Sequence, residues 1–169
     1  MTEVVLKLSV RDLVHADLES CGWSGSDIHL ANVVQQLVRA RRGEVDYLAV
    51  CTPADVPVAK TGIDYRAKEG AGTIWQLAVH PALQSCGIGT LLLAAAEERI
   101  AAHGLRHAEI AVEESNPRAL ALYERLGYVA YDRRPDGWDE RAPDGSVRRH
   151  ETIGILMRKE LTRPVDGPV

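Results

Sequence analysis

Leu77-Ala78-Val79-His80-Pro81-Ala82-Leu83-Gln84-Ser85-Cys86-Gly87-Ile88-Gly89-Thr90 passes from an apolar run through a glycine-containing loop into a long amphipathic segment. The stretch predicts a strand from Thr73 to Val79 that stops at His80-Pro81, followed by a helix from Gly87 to about His103. The stripe of that helix is Ile88, Leu91, Leu92, Ala95, Ala96 and Ile100, and Gly104 lies just past its end. Such a junction aims unpaired backbone N–H groups and the positive end of a helix dipole at one point, which suits a phosphate or pyrophosphate. Gly87 and Gly89 either admit a ligand close to the backbone or merely permit a tight turn. The pattern does not extend to GxGxxG, because Leu92 occupies the last position, and no Lys follows for a P-loop.

Upstream, Val4 to Val10 reads as a strand and Asp12 to Leu18 as a short helix, broken by Cys21-Gly22-Trp23-Ser24-Gly25. Ser26 can cap a second helix with the stripe Ile28, Leu30, Val33, Val34, Leu37 and Val38. Val45 to Thr52 and Val56 to Tyr65 read as an antiparallel pair around Pro53-Ala54-Asp55. Downstream, Ala108 to Val112 is a strand. Asn116-Pro117 opens a helix carrying Ala119, Leu120, Leu122, Tyr123 and Leu126, closed by Gly127. Tyr128 to Tyr131 and Thr152 to Met157 read as final strands joined by a polar segment with turn signals at Pro135-Asp136-Gly137 and Pro143-Asp144-Gly145. The order predicts an α/β (α+β) fold, one mixed, mostly antiparallel sheet flanked by helices, over residues 1–161, with 162–169 as a flexible tail.

With 169 residues, 46% hydrophobic and 26% charged, the chain has the composition of one ordinary globular domain. Twenty basic against 24 acidic residues give a net charge of -4, which argues against a nucleic-acid partner. Cys21, Cys51 and Cys86 form no CxxC pair and signal neither a disulfide framework nor a zinc site; a reducing cytoplasm suits them. No segment approaches the ~18 consecutive apolar residues of a membrane span. His103 and His107 are four apart, but Gly104 interrupts any helix between them, so no metal is expected.

Gln84-x-x-Gly87-x-Gly89 followed by Asn116-x-x-Ala119-x-x-Leu122-Tyr123-x-x-x-Gly127-Tyr128 resembles the GNAT superfamily of N-acetyltransferases, and the element order agrees. The resemblance implies that the strand holding Leu77, Ala78 and Val79 pairs with the pantetheine arm of acetyl-CoA, and that a backbone N–H there faces the thioester oxygen. It implies that Gln84, Ser85, Cys86, Gly87, Ile88, Gly89 and Thr90 cradle the pyrophosphate, that Asn116 contacts the arm, and that Tyr123 is the general acid. Read from the residues alone, Tyr123 equally fills a helical stripe between Leu122 and Leu126.

Two departures matter. Relatives often carry Arg or Lys where this chain has Ser85-Cys86, so phosphate binding rests more on backbone donors. Cys86 is either a reactive thiol or a small buried packing residue. One branch of the family has a general-base Glu five residues before the motif Asn, and Ala111 stands there. Glu113 and Glu114 follow on the same strand; either can hold a cationic amine or relay its proton, or both are solvated charges. His80 is an acid–base candidate or a loop cap. Trp23, in a loop that walls the acceptor site in relatives, and Trp138, in the last long connection, are candidates for acceptor contact or simple packing. Arg39, Arg41, Arg42, Arg148 and Arg149 read as solvated faces.

The expected function is acetyl transfer from acetyl-CoA to a primary amine of a small molecule or protein, without a metal, in the cytoplasm, with homodimerisation expected by analogy. The alternatives are an acyl-CoA-binding sensor without turnover and, further off, a nucleotide-binding regulator that uses the same glycine loop.

Overall fold

The computed structural model describes residues 1–162, so the expected tail lies outside the described residues apart from Thr162. The chain runs β1 (Ser9–Asp12), two short 3-10 turns (His15–Ser20 and Gly22–Ser24), α1 (Asp27–Ala40), β2 (Val45–Cys51), β3 (Pro57–Asp64) and β4 (Ala71–Val79). A 3-10 turn at Pro81–Leu83 leads to α2 (Ile88–Ala102), β5 (His107–Glu113), α3 (Pro117–Arg125), β6 (Val129–Arg141) and β7 (Val147–Glu160). The strands form one seven-stranded sheet in the order β1-β2-β3-β4-β5-β7-β6. Only the β4–β5 pair is parallel.

Alternation along β2 explains the layering. Leu48 and Val50 face the α2 side, where they join Ile63, Ile74, Leu92, Leu93, Ala96, Ile100 and Ile110 in the main core. Tyr47, Ala49 and Cys51 face the other way and join Leu13, Leu18, Cys21 and Val33, with Leu30, Val34 and Leu37 of α1 closing that cluster. Because helices cover both faces, β2 and β3 are buried almost throughout. At the far end of α1, Arg39 reaches Asp64 at 2.7 Å and Glu44 at 3.0 Å, so it ties the helix to β3 and is no solvated charge.

Several expectations are corrected. The N-terminal strand is confined to Ser9–Asp12, and the helix after it is two 3-10 turns. In α2 the exposed Leu91 gives way to the buried Leu93, because the stripe steps 88, 92, 96, 100 with Leu93 beside it. The polar segment before β7 is no loop: β6 and β7 pair from Val129 to Arg141, and only Pro143-Asp144-Gly145 turns. Pro135 fits inside β6 because that strand is the sheet edge, where a missing N–H costs no ladder bond. Among the described residues no helix is long and apolar enough to cross a membrane.

Two irregularities shape the middle of the sheet. β4 and β5 pair only from Ala71 opposite His107 to Ile74 opposite Ile110; beyond that both strands continue without pairing each other. At the same place β4 bulges: Gly62 faces Trp75 and Lys60 faces Ala78, so Gln76 and Leu77 share the single partner Thr61.

Candidate active site

The divergence of β4 and β5 opens a cleft whose β4 wall is Trp75 to Val79 and whose β5 wall is Ala111 to Glu113. At its end Gly87 caps α2 with φ +82°, and Ser85 has φ +62°. These left-handed residues turn the loop so that the first N–H groups of α2 stay without helical partners. Gln84 Nε2 donates to the Val79 carbonyl at 3.3 Å, which fastens the loop to β4. Gln84, Ser85, Cys86, Gly87 and Thr90 are exposed and Gly89 is half-buried, whereas the Ile88 side chain belongs to the core. Cys86 is therefore no buried packing residue.

The start of α3 lies against this loop. Asn116 Oδ1 accepts from the Ala119 N–H at 3.1 Å, the helix cap its position calls for. Within the first turn, the Arg118 guanidinium donates to Ser85 Oγ. The loop thus carries a positive charge borrowed from α3, a residue the sequence reading passed over. Tyr123 is 7% exposed and packs edge-on against Tyr128 at 6.1 Å. Burial alone raises its pKa; no hydrogen bond contributes, so its phenol stays protonated at neutral pH.

On β5, Val112 joins the α2-side core and Glu113 points to the opposite face. Its Oε2 lies 3.3 Å from His150 Nε2 and accepts from Thr152 Oγ1 at 3.3 Å, and the His150 ring lies tilted against Trp138, 4.6 Å between centroids. Glu114 receives a two-bond fork from Arg133, both bonds at 2.8 Å. The β6–β7 hairpin reaches across to α1, where Arg141 grips Asp27 at 2.7 and 3.1 Å. From the other side Trp23 lies 5.6 Å from the His80 ring, and its Nε1 is buried without a hydrogen-bond partner among the described residues. His80 Nδ1 accepts from the Ala82 N–H at 3.1 Å, which is the loop-cap arrangement. The structure therefore brings the end of β4, the Gln84–Thr90 loop and the start of α3 at Asn116 together, while Tyr123 lies further along α3 in the main core. Glu113 with His150 lies across the divergence, and Glu114 is engaged by Arg133.

On the α1 face of β3 lies Lys60, 0% exposed. Its Nζ donates to His29 Nε2 at 2.8 Å and to Tyr47 Oη at 3.1 Å. No carboxylate among the described residues offsets its charge, and burial pushes its pKa down to about 8 and that of His29 to about 4. At Lys60 the unfolded chain binds more protons than the folded one between about 8 and the ordinary value of 10.5, so this group's contribution to stability rises with pH across that window. The burial costs roughly 3 kcal/mol below it. From about pH 9 the buried thiols of Cys21 and Cys51 oppose this gain, and above pH 10 the phenols of Tyr47, Tyr65 and Tyr128 join them, because burial raises the pKa of each. In urea unfolding the stability advantage of Lys60→Met over the wild type should shrink from pH 7 to pH 9.5, as the buried ammonium loses its proton.

Residues 16–128 match the model of the acetyltransferase (GNAT) family. A mycothiol acetyltransferase of Acidimicrobium ferrooxidans is 38% identical over 64 residues, 38% of this chain and 21% of that protein, so the chain spans about a fifth of that relative. The ribosomal-protein-S18-alanine N-acetyltransferase of Escherichia coli superposes with a TM-score of 0.68 at 18% identity, covering 96% of this chain and 99% of that one. A phosphinothricin acetyltransferase of Sinorhizobium meliloti, solved with acetyl-CoA, gives 0.68 at 18% identity over 95% and 94%. The fold is that of acetyltransferases. The chain belongs to the acetyltransferase (GNAT) family.

Proposed function

We propose that the protein, as one domain over residues 1–161, transfers the acetyl group of acetyl-CoA to a primary amine in a reducing cytoplasm. The observation that carries this is the β4–β5 divergence, which ends on a left-handed loop at the α2 N-terminus; the buried, protonated Tyr123 of α3 supports the reading as an acid. The donor set fits a thioester of a phosphorylated carrier. Backbone N–H groups of Gly87 to Thr90 and the Arg118 guanidinium suit the pyrophosphate, and the unpaired edge of Leu77 to Val79 suits the amide-bearing arm. Acetyl-CoA supplies an activated acyl carbon.

The chain's own groups then divide the work. A backbone N–H of the Leu77–Val79 stretch meets charge developing on the thioester oxygen. As the amine nitrogen bonds to the acyl carbon and the C–S bond breaks, Tyr123 gives its proton to the departing sulfur. An ammonium must shed a proton before attack, and Glu113, braced by His150 and Thr152, anchors it or accepts that proton. Trp23 and Trp138 stand as acceptor walls.

Thiol release from acetyl-CoA across a panel of small amines and peptides tests the reading. Turnover with any amine supports it, whereas acetyl-CoA binding with no thiol release across the panel favours the sensor. Arg118→Ala is expected to weaken acetyl-CoA binding about fivefold and to flatten its salt dependence, since one charge-assisted contact is lost. Calorimetry at low and high salt reads both effects, and an unchanged affinity at low salt would remove Arg118 from the cradle.

A further inference from the structure

Asp55, Gln76 and Ser85 are the non-glycine residues with left-handed φ among those described, and Gln76, at +55°, is the one inside a strand. A Gln side chain gains nothing locally from that conformation, and it persists only where the surroundings impose it. On the backbone side Thr61 Oγ1 donates to the Trp75 carbonyl at 3.1 Å. On the side-chain side both ends of the Gln76 amide are used. Tyr47 Oη donates to its Oε1 at 2.9 Å, and its Nε2 donates to Asn32 Oδ1 on α1 at 2.8 Å.

The polarity of this chain is set at its buried end. An ammonium has donors only, so Lys60 Nζ, 3.1 Å from Tyr47 Oη, makes that oxygen its acceptor and leaves the phenol proton for Gln76. The groups facing Lys60 are His29 from α1, Tyr47 from β2 and, further off, Cys21 from the N-terminal turns; no carboxylate among the described residues competes for it. A buried ammonium without a carboxylate weakens a fold that methionine would fill at similar volume. Stability therefore gives no reason for a lysine here.

We propose that Lys60 is a positioning residue: through Tyr47 it locks the Gln76 side chain, and with it the β4 bulge that aims the backbone N–H groups of Leu77 to Val79 into the strand divergence. The inference rests on the acetyl-transfer reading. It deepens that reading by assigning the aim of the donors to a hydrogen-bonded chain between α1 and β4.

The test uses Lys60→Met and Tyr47→Phe in the full chain, each also placed on Gln76→Gly. Glycine holds a positive φ without a tether, so this change uncouples the bulge from the network. In the Gln76 protein each variant is expected to lower kcat about tenfold through misaimed donors. CoA affinity stays unchanged, the preference for acetyl-CoA over CoA narrows, and the thermal midpoint of Lys60→Met holds or rises. On Gln76→Gly the same changes cost less than about twofold, the non-additivity of residues acting in one chain. An unchanged kcat, an equal loss in both backgrounds, or a fall in thermal midpoint matching the loss of activity would overturn the proposal. The acetyl-CoA preference is read by calorimetry and needs no turnover. A wild type silent on every amine therefore sinks the transfer reading alone, while the preference still tests the role of Lys60.

Discussion

Tyr123→Phe is expected to lower kcat by about 100-fold while leaving acetyl-CoA affinity and thermal stability nearly unchanged. The ring is buried against Tyr128, but the hydroxyl contributes no hydrogen bond to the fold, so its removal leaves the packing intact. On the proposed mechanism, what is lost is the proton for the leaving sulfur, whose conjugate thiol has a pKa of about 8.5 by analogy with Cys. Because burial raises the Tyr123 pKa above its ordinary 10.0, the wild type keeps this proton through mildly alkaline pH. Its kcat should therefore not fall between pH 7 and 9.5 for lack of an acid. Steady-state thiol release with an accepted amine, alongside calorimetry, measures the split. Turnover equal to wild type would remove Tyr123 from the chemistry.

The second large effect is expected at Gly87→Val. At φ +82° an L-residue costs roughly 1–2 kcal/mol, and a β-branched one costs more. A Cβ there meets nothing within 4 Å, so the added side chain projects into the open space above the loop. Folding pays only the backbone strain, whereas binding also loses the anion seat. Acetyl-CoA affinity should fall about 100-fold, with a drop in thermal midpoint of about 4 °C. Gly89→Ala is the contrast: its Cβ meets only Val79 Cγ2 at 3.8 Å, ordinary contact, and it should leave the unliganded protein as stable as wild type. Affinity retained in the Gly87 variant would show that the loop does not cradle the phosphates.

The loop and the two helix starts around it were readable because each depends on local chemistry. Glycine marks a left-handed cap, Asn-Pro marks a helix entry, and the apolar stripes name the buried faces. Lys60 was not readable in the same way. Within Val58-Ala59-Lys60-Thr61-Gly62 it looks like the polar member of an alternating strand, yet helices cover both faces of β3 and its partners come from residues 29 and 47. The bulge at Gln76 was equally silent, since its left-handed backbone carries no glycine to announce it. Arg118 and Ser85 are 33 positions apart, and only the packing of two helix ends brings them together. The β6–β7 hairpin was misread because Pro135-Asp136-Gly137 has turn composition but lies on an edge strand that tolerates it. Tyr128, which follows the helix-closing Gly127, donates its hydroxyl proton to Glu97 at 3.0 Å.

The parting of β4 and β5 has a thermodynamic meaning as well as a chemical one. A seven-stranded sheet left unfinished at its centre holds backbone groups that water must serve until something extended lies between them. A ligand that completes the ladder acts as an eighth, non-covalent strand, and its binding energy adds to the folding energy of the whole domain by mass action. If the proposed function holds, the protein's resistance to unfolding is a gauge of acyl-donor supply: the same polypeptide is more durable where acetyl-CoA is abundant and more easily lost where it is scarce.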